Sequence, residues 1–299
     1  MRSFLYCEAG FVEKTNWLPN CWVNVECPTP EDIQYLLNQF HVPESFLSDI
    51  ADTDERPRIE YEGNWLLTIL RIPVQSTESG IPFTTVPIGI ITNNEVIISV
   101  CYHKTELLPD FIRYSRRKEL VVRHKYDLIL RLIHSSAVWF LKYLKQINNE
   151  VARAEKALEK SIRNEDLLRL MKLEKSMVYF NTSIRGNEVM LSKLQSIFQE
   201  PMYMDAELLE DVETELKQAH LTVNIYSDIL TGTMDAFASV ISNNLNIVMK
   251  VLASITLIIS IPTVISGLYG MNVQNLPLAQ FWWFPVLLSL GLMGIAGFS

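Results

Sequence analysis

Asn246-Ile247-Val248-Met249-Lys250-Val251-Leu252-Ala253-Ser254-Ile255-Thr256-Leu257-Ile258-Ile259-Ser260-Ile261-Pro262-Thr263-Val264-Ile265-Ser266-Gly267-Leu268-Tyr269-Gly270-Met271-Asn272 is the stretch that decides the fold. After Lys250 no Asp, Glu, Lys, Arg or His occurs up to Ser299. A charge-free apolar run of about 20 residues is long enough to cross hydrocarbon as a helix, at little electrostatic cost. Every charge on the chain therefore sits before residue 251.

A second apolar stretch opens with Phe281-Trp282-Trp283-Phe284 and continues from Pro285 to Phe298. Its aromatic start matches the belt that Trp and Tyr form at a membrane interface. The stretch is short for a span of about 20 residues, so the helix is expected to continue past Ser299. Gly291, Gly294 and Gly297 read as helix packing and not phosphate binding, because no strand precedes them. Two spans put both ends of the chain on one side. Lys250 at the inner end and an uncharged loop outside predict a cytosolic N-terminal domain of a multi-pass cell-membrane (plasma or inner membrane) protein.

Composition bounds the remainder. The net charge of −8 belongs to the part outside the membrane, which disfavours nucleic acid as partner and is compatible with divalent cations. Cys7, Cys21, Cys27 and Cys101 show no C-x-x-C spacing and read as reduced thiols, with a structural zinc site as the alternative. Met1-Arg2-Ser3-Phe4 lacks the apolar core of a signal peptide. An enzyme would need a nucleophile and base, a P-loop or a ligand cluster. His41, His103, His124, His134 and His220 stand singly, and the chain is read as neither an enzyme nor the holder of a cofactor.

Before about Ser115, β-branched and aromatic runs alternate with turn residues: Trp22-Val23-Asn24-Val25, Trp65 to Ile72, Val86 to Thr92 and Val96 to Val100. Thr29-Pro30-Glu31 and Val42-Pro43-Glu44 look like helix starts. From His124 onward Leu, Glu and Lys recur at steps of three and four, predicting helices over Lys125 to Ser161 and Asn164 to Gln199 with a bend at Arg163-Asn164. A third helix begins near Asp205. Its seam, Leu209, Val212, Leu216, Ala219, Val223, Tyr226, Leu230, Met234, Phe237, Ile241, Leu245 and Val248, wants a partner helix along its length. Stalk and first membrane helix then form one rod on the order of 100 Å long.

The expected architecture is an α+β cytosolic domain with a long α-helical stalk and two C-terminal transmembrane helices. Its divisions are an α/β domain over 1–123, a helical hairpin over 124–204, the stalk over 205–250, the first span over 251–272, a loop over 273–280 and the second span over 281–299. Within the first span, steps of three and four back from Gly270 give Gly267, Thr263, Ser260, Thr256, Ala253, Met249 and Asn246. A small and polar stripe of this kind either lines water or lets helices pack closely.

Asn246, Met249-Lys250-Val251-Leu252 and Gly267-Leu268-Tyr269-Gly270-Met271-Asn272, at this spacing and behind a long charged domain, resemble the CorA family of divalent-cation channels. The resemblance implies a funnel-shaped homopentamer in the lipid bilayer, passing magnesium, and also cobalt or nickel, and regulated by Mg2+. By the same resemblance Gly270, Met271 and Asn272 form the selectivity filter, and Asn246, Met249, Leu252 and Thr263 line the pore. Asp211, within Leu209-Glu210-Asp211-Val212-Glu213, matches the family's regulatory metal acid, though a solvated acidic helix face is the competing reading. Ser76-Thr77-Glu78 is the nearest stretch to a partner acid. The loop Val273-Gln274-Asn275-Leu276-Pro277-Leu278 lacks the acid of many relatives, and Ser260-Ile261-Pro262 departs from their hydrophobic turn. Two other readings stand beside the magnesium channel: the proton-coupled zinc importer of the related branch, which usually carries Ile in place of Met271, and a membrane-anchored scaffold with a sealed pore.

Overall fold

Thr29 starts the first helix through a capping box in which its side chain accepts from the Asp32 N–H while Asp32 accepts from the Thr29 N–H. That helix, α1 (Pro30–Phe40), and α2 (Glu44–Ala51) follow three strands, β1 (Arg2–Cys7), β2 (Phe11–Lys14) and β3 (Trp22–Glu26). Four more strands come next: β4 (Arg58–Glu62), β5 (Trp65–Gln75), β6 (Phe83–Thr92) and β7 (Ile97–Cys101). The helices α3 (Leu107–Arg117), α4 (Lys125–Lys160), α5 (Asn164–Ile197), α6 (Ala206–Tyr269) and α7 (Phe284–Phe298) complete the chain. The computed structural model describes residues 2–76, 80–122, 124–160, 163–198, 205–271, 276–278 and 280–298.

The seven strands form one sheet in the order β2-β1-β3-β7-β6-β5-β4. Among the described residues only β3 and β7 run parallel, Val23 opposite Ile98 and Val25 opposite Val100. All other neighbouring pairs are antiparallel. β5, β6 and β7 are buried at nearly every position, which explains their unbroken apolar runs: both faces of the sheet are covered. On one face Leu36 of α1 and Phe46, Leu47 and Ile50 of α2 pack with Val23, Leu67, Ile69, Ile91 and Ile98. Gly89 makes that approach possible, since a Cβ there would stand 2.1 Å from the Ile50 Cδ1. The buried polar groups of β3 and β7 satisfy one another. Trp22 Nε1 donates to Ser99 Oγ at 2.8 Å, and Ser99 donates to Asn24 Oδ1 at 2.7 Å.

α4 and α5 form the expected hairpin, with Arg163 as the extended N-cap residue of α5 and Phe140 meeting Phe180 edge-on at 5.1 Å. The hairpin packs on the sheet. Asn187 of α5 accepts from the Arg71 N–H at 3.0 Å and donates to the Arg71 carbonyl at 2.7 Å. Arg71 stands two residues past the last β4 pair, Arg58 with Ile69, so this carboxamide continues the ladder where the strand ends. Thr85 and Ser183 add a second buried bond at 2.7 Å. Burial holds the Arg71 guanidinium below its ordinary pKa while Asp54 and Asp52 oppose that effect, and it is satisfied by the Thr53, Glu55 and Thr85 carbonyls.

Two compact units result, residues 1–234 and 235–299. In the first, α6 opens with Asp205 capping the Glu207 and Leu208 N–H groups. Val212, Leu216, Ala219, Val223 and Leu230 of the seam are buried there. Asn181 of α5 donates to Asn224 at 2.9 Å, and Glu188 meets His220 at 2.8 Å. The apolar pattern missed β1, β2, β4 and α3. The strands are short or rich in charge and α3 is strongly basic, so period alone was weak there.

The four cysteines are free. Burial pushes the Cys101 thiol up to about 12, and Cys21 is buried, whereas Cys27 is exposed. Native alkylation followed by peptide mass mapping should modify Cys27 first and reach Cys21 and Cys101 only after unfolding. Asn187→Ala should lower stability by about 1–3 kcal/mol for each Arg71 backbone group left without a partner, read as a lower melting temperature.

Candidate ion pathway

The second unit holds the charge-free tail. The apolar window of α6 is 6% buried, which excludes the core helix of a water-soluble domain, and it lies far from the N-terminus. α7 is the shorter apolar helix. The expected second span, 281–299, becomes helical only at Phe284, with Phe281, Trp282 and Trp283 exposed before it.

α7 covers one side of α6. Ile258 and Gly297 lie close enough that a Cβ on the glycine would stand 3.8 Å from the Ile258 Cδ1. Tyr269 and Phe284 have ring centroids 6.2 Å apart, and the Tyr269 hydroxyl donates to the Pro277 carbonyl at 2.9 Å. Ile258, Ile261, Pro262, Ile265 and Tyr269 are accordingly the partly or fully covered positions of this segment. At about 100° per residue these five form one stripe. Asn246, Met249, Ala253, Thr256, Ser260, Thr263, Gly267 and Gly270 centre on the opposite side, and every one of them is exposed. Leu252 borders that side and is exposed as well.

The hydroxyls of this face share a chemistry. Thr256 donates to the Leu252 carbonyl at 2.8 Å, Ser260 to Leu257 at 2.7 Å and Thr263 to Ile259 at 3.3 Å. Each proton is turned into the helix, so each oxygen presents lone pairs outward. Pro262 lacks an N–H, which leaves the Ile258 carbonyl without its intrahelical donor inside the span.

The helix ends at Tyr269. Gly270 N donates to the Ser266 carbonyl at 2.9 Å and Met271 N to Leu268 at 3.3 Å. A Cβ on Gly270 would stand 3.1 Å from the Ser266 oxygen, a tight fit. Gly270 does not take the left-handed backbone of a helix-terminating glycine, so closeness of approach is what favours glycine here. Asn272 lies outside the described residues, as does Glu78.

Asp211 is separate from this face. It is exposed on the first part of α6 and lines a cavity with Asp110, Arg113, Arg117 and Arg131. No cluster of three His, Cys, Asp or Glu able to hold a metal forms among the described residues. Asp110, the second acid of that cavity, has no sequence signal that sets it apart from other surface acids.

Fold and tail together define a membrane protein in which an α+β domain leads by a long helix into an apolar hairpin. The sequence model described as CorA-like Mg2+ transporter protein matches residues 19–298, and the chain belongs to that family, whose members are transporters and not enzymes. The cobalt/magnesium transport protein CorA of Methanocaldococcus jannaschii is 26% identical over 281 residues, covering 91% of this chain and 87% of that one. The protein of the same description from Thermotoga maritima is 26% identical over 284 residues, 92% of this chain and 79% of that one. The complete structure of the Methanocaldococcus jannaschii CorA magnesium transporter superposes with a TM-score of 0.80 at 22% identity, covering 99% of this chain and 94% of that one.

The two sides of α6 should differ in reactivity. In a cysteine-free background reconstituted in lipid, Thr256→Cys and Thr263→Cys should react with a membrane-impermeant thiol reagent, while Ile258→Cys and Ile265→Cys stay protected. Equal labelling of the two pairs would contradict a watered stripe.

Proposed function

We propose that this chain is one subunit of a homopentameric channel through which Mg2+, and also cobalt or nickel ions, enters the cell passively. The observation that carries the reading is the uncovered small and polar face of α6, directed away from α7. The end of the seam is also uncovered: Leu245 and Val248 are each 60% exposed, a surface that further copies of α6 would bury. Self-association around the stripe encloses a path lined by Asn246, Met249, Leu252 and Thr263.

The ring of lone pairs suits magnesium for a physical reason. The ion is small and dehydrates reluctantly, so oxygens that accept hydrogen bonds from its bound waters pass it without stripping its shell. Thr263 supplies such an oxygen within the membrane. At the outer mouth Gly270, Met271 and Asn272 form the filter, with the Asn272 carboxamide oxygens accepting from the hydrated ion without a charge that would trap it. Met249 and Leu252 form a hydrophobic constriction on the cytosolic side of that ring, and Asn246 a polar ring at the exit.

Cytosolic Mg2+ regulates by binding one state better than the other. Asp211 is the acid proposed for that role, and a site there needs further oxygen ligands, because a single carboxylate does not hold the ion.

Flux into proteoliposomes of the full chain tests the reading. Mg2+ flux should proceed without a pH gradient and change with Asn272→Ala, while Thr263→Val should slow it by removing one acceptor ring. Zn2+ flux that follows a pH gradient would replace this reading with proton-coupled zinc import, and no flux of any divalent ion would favour the sealed scaffold.

A further inference from the structure

The cavity beside Asp211 holds more positive than negative charge. About 450 Å3 in volume, it lies inside the first unit and is lined by Asp110, Arg113, Tyr114 and Arg117 of α3, Arg131 and His134 of α4, and Asp211 of α6. Three guanidiniums there face two carboxylates. Asp110 is engaged by Arg113 at 3.3 Å, a pair on an exposed helix surface that contributes little to stability.

Arg131 is the decisive residue. Its Nε is fully buried and, like Trp17 Nε1 and Thr68 Oγ1, has no hydrogen-bond partner among the described residues, although such a buried group is costly and normally paired; of the three residues Arg131 is the one that lines this cavity. Arg117 stands with its guanidinium 5.8 Å from the Tyr114 ring centre, and a cation held there keeps its N–H groups available. Guanidinium forks match phosphate oxygens two at a time, which a solvated lysine cannot do. The volume falls within the range of small-molecule sites, roughly 300–1,000 Å3. Phe111, Val138 and Leu208 give the cavity an apolar wall as well, which a bare inorganic ion would leave unused.

We propose that this cavity binds a soluble organic phosphate, its phosphate held by Arg117 and Arg131 and its organic part set against the apolar wall and Tyr114. The inference is independent of ion conduction, since it rests on the first unit alone. Asp211 then does two things on one surface: it is the acid proposed for cytosolic cation sensing, and it is a wall of an anion site.

Calorimetric titration of the full chain in detergent, in buffer free of divalent ions, with ATP, AMP and inorganic phosphate as separate probes, decides the matter. Saturable binding of ATP or AMP is expected, tighter than that of inorganic phosphate. Arg131→Met and Arg117→Met should each weaken it about ten-fold or more, while Lys217→Met, on an exposed part of α6, should stay within about two-fold. If Arg131→Met fails to fold, the exposed Arg117 decides alone. No saturable binding of any probe, equal affinity for inorganic phosphate, or indifference to the arginine substitutions would overturn the proposal.

Discussion

Hydrocarbon accepts neither a lone charge nor an unpaired backbone group, and the chain after Lys250 is organised around that constraint. Most main-chain polar groups of its two helices are closed within them, the Ile258 carbonyl opposite Pro262 excepted, and it carries no Asp, Glu, Lys, Arg or His. Four of its hydroxyls, on Ser254, Thr256, Ser260 and Thr263, each donate to a carbonyl one turn back or less. At those four positions only acceptor lone pairs are left for an outside partner. The same economy that makes the segment tolerable in lipid gives it a chemistry suited to hydrated cations.

Satisfying the backbone leaves the question of which side of α6 meets what. α7 answers half of it by packing on Ile258 and reaching Tyr269, while Pro277 receives the Tyr269 hydroxyl. The covered stripe is bulky and largely apolar and the uncovered one mostly small or polar, the reverse of what close packing of α6 on α7 through small residues would produce. Small-residue packing between spans therefore does not explain the stripe within one chain. Contact with water or with further copies is the proposed account.

In the first unit the corresponding constraint is the pairing of polar groups buried by a sheet covered on both faces. Asn187 replaces a missing strand for Arg71, Ser99 bridges Trp22 to Asn24, and Thr85 meets Ser183. Each of these residues read as an ordinary polar position along the chain. Their partners lie far away in sequence, 116 residues in the case of Asn187 and Arg71, so no local pattern could announce them. Among the described residues the Nε of Arg131, with Trp17 Nε1 and Thr68 Oγ1, is one of three buried side-chain atoms left out of this pairing.

By itself the sequence determined the charge-free tail and the long helices, because these follow from local period and hydropathy. The helix start at Thr29-Pro30-Glu31, the turn at Arg163 and the start of α6 near Asp205 were equally legible, since a helix terminus is satisfied by residues within one turn. Only the tertiary structure decided which face of α6 is covered, which strands β1, β2 and β4 pair with, and that Asp211 shares a cavity with three arginines. Those outcomes depend on contacts between residues distant in sequence, and the periodicity of one segment carries no information about what another segment brings to it.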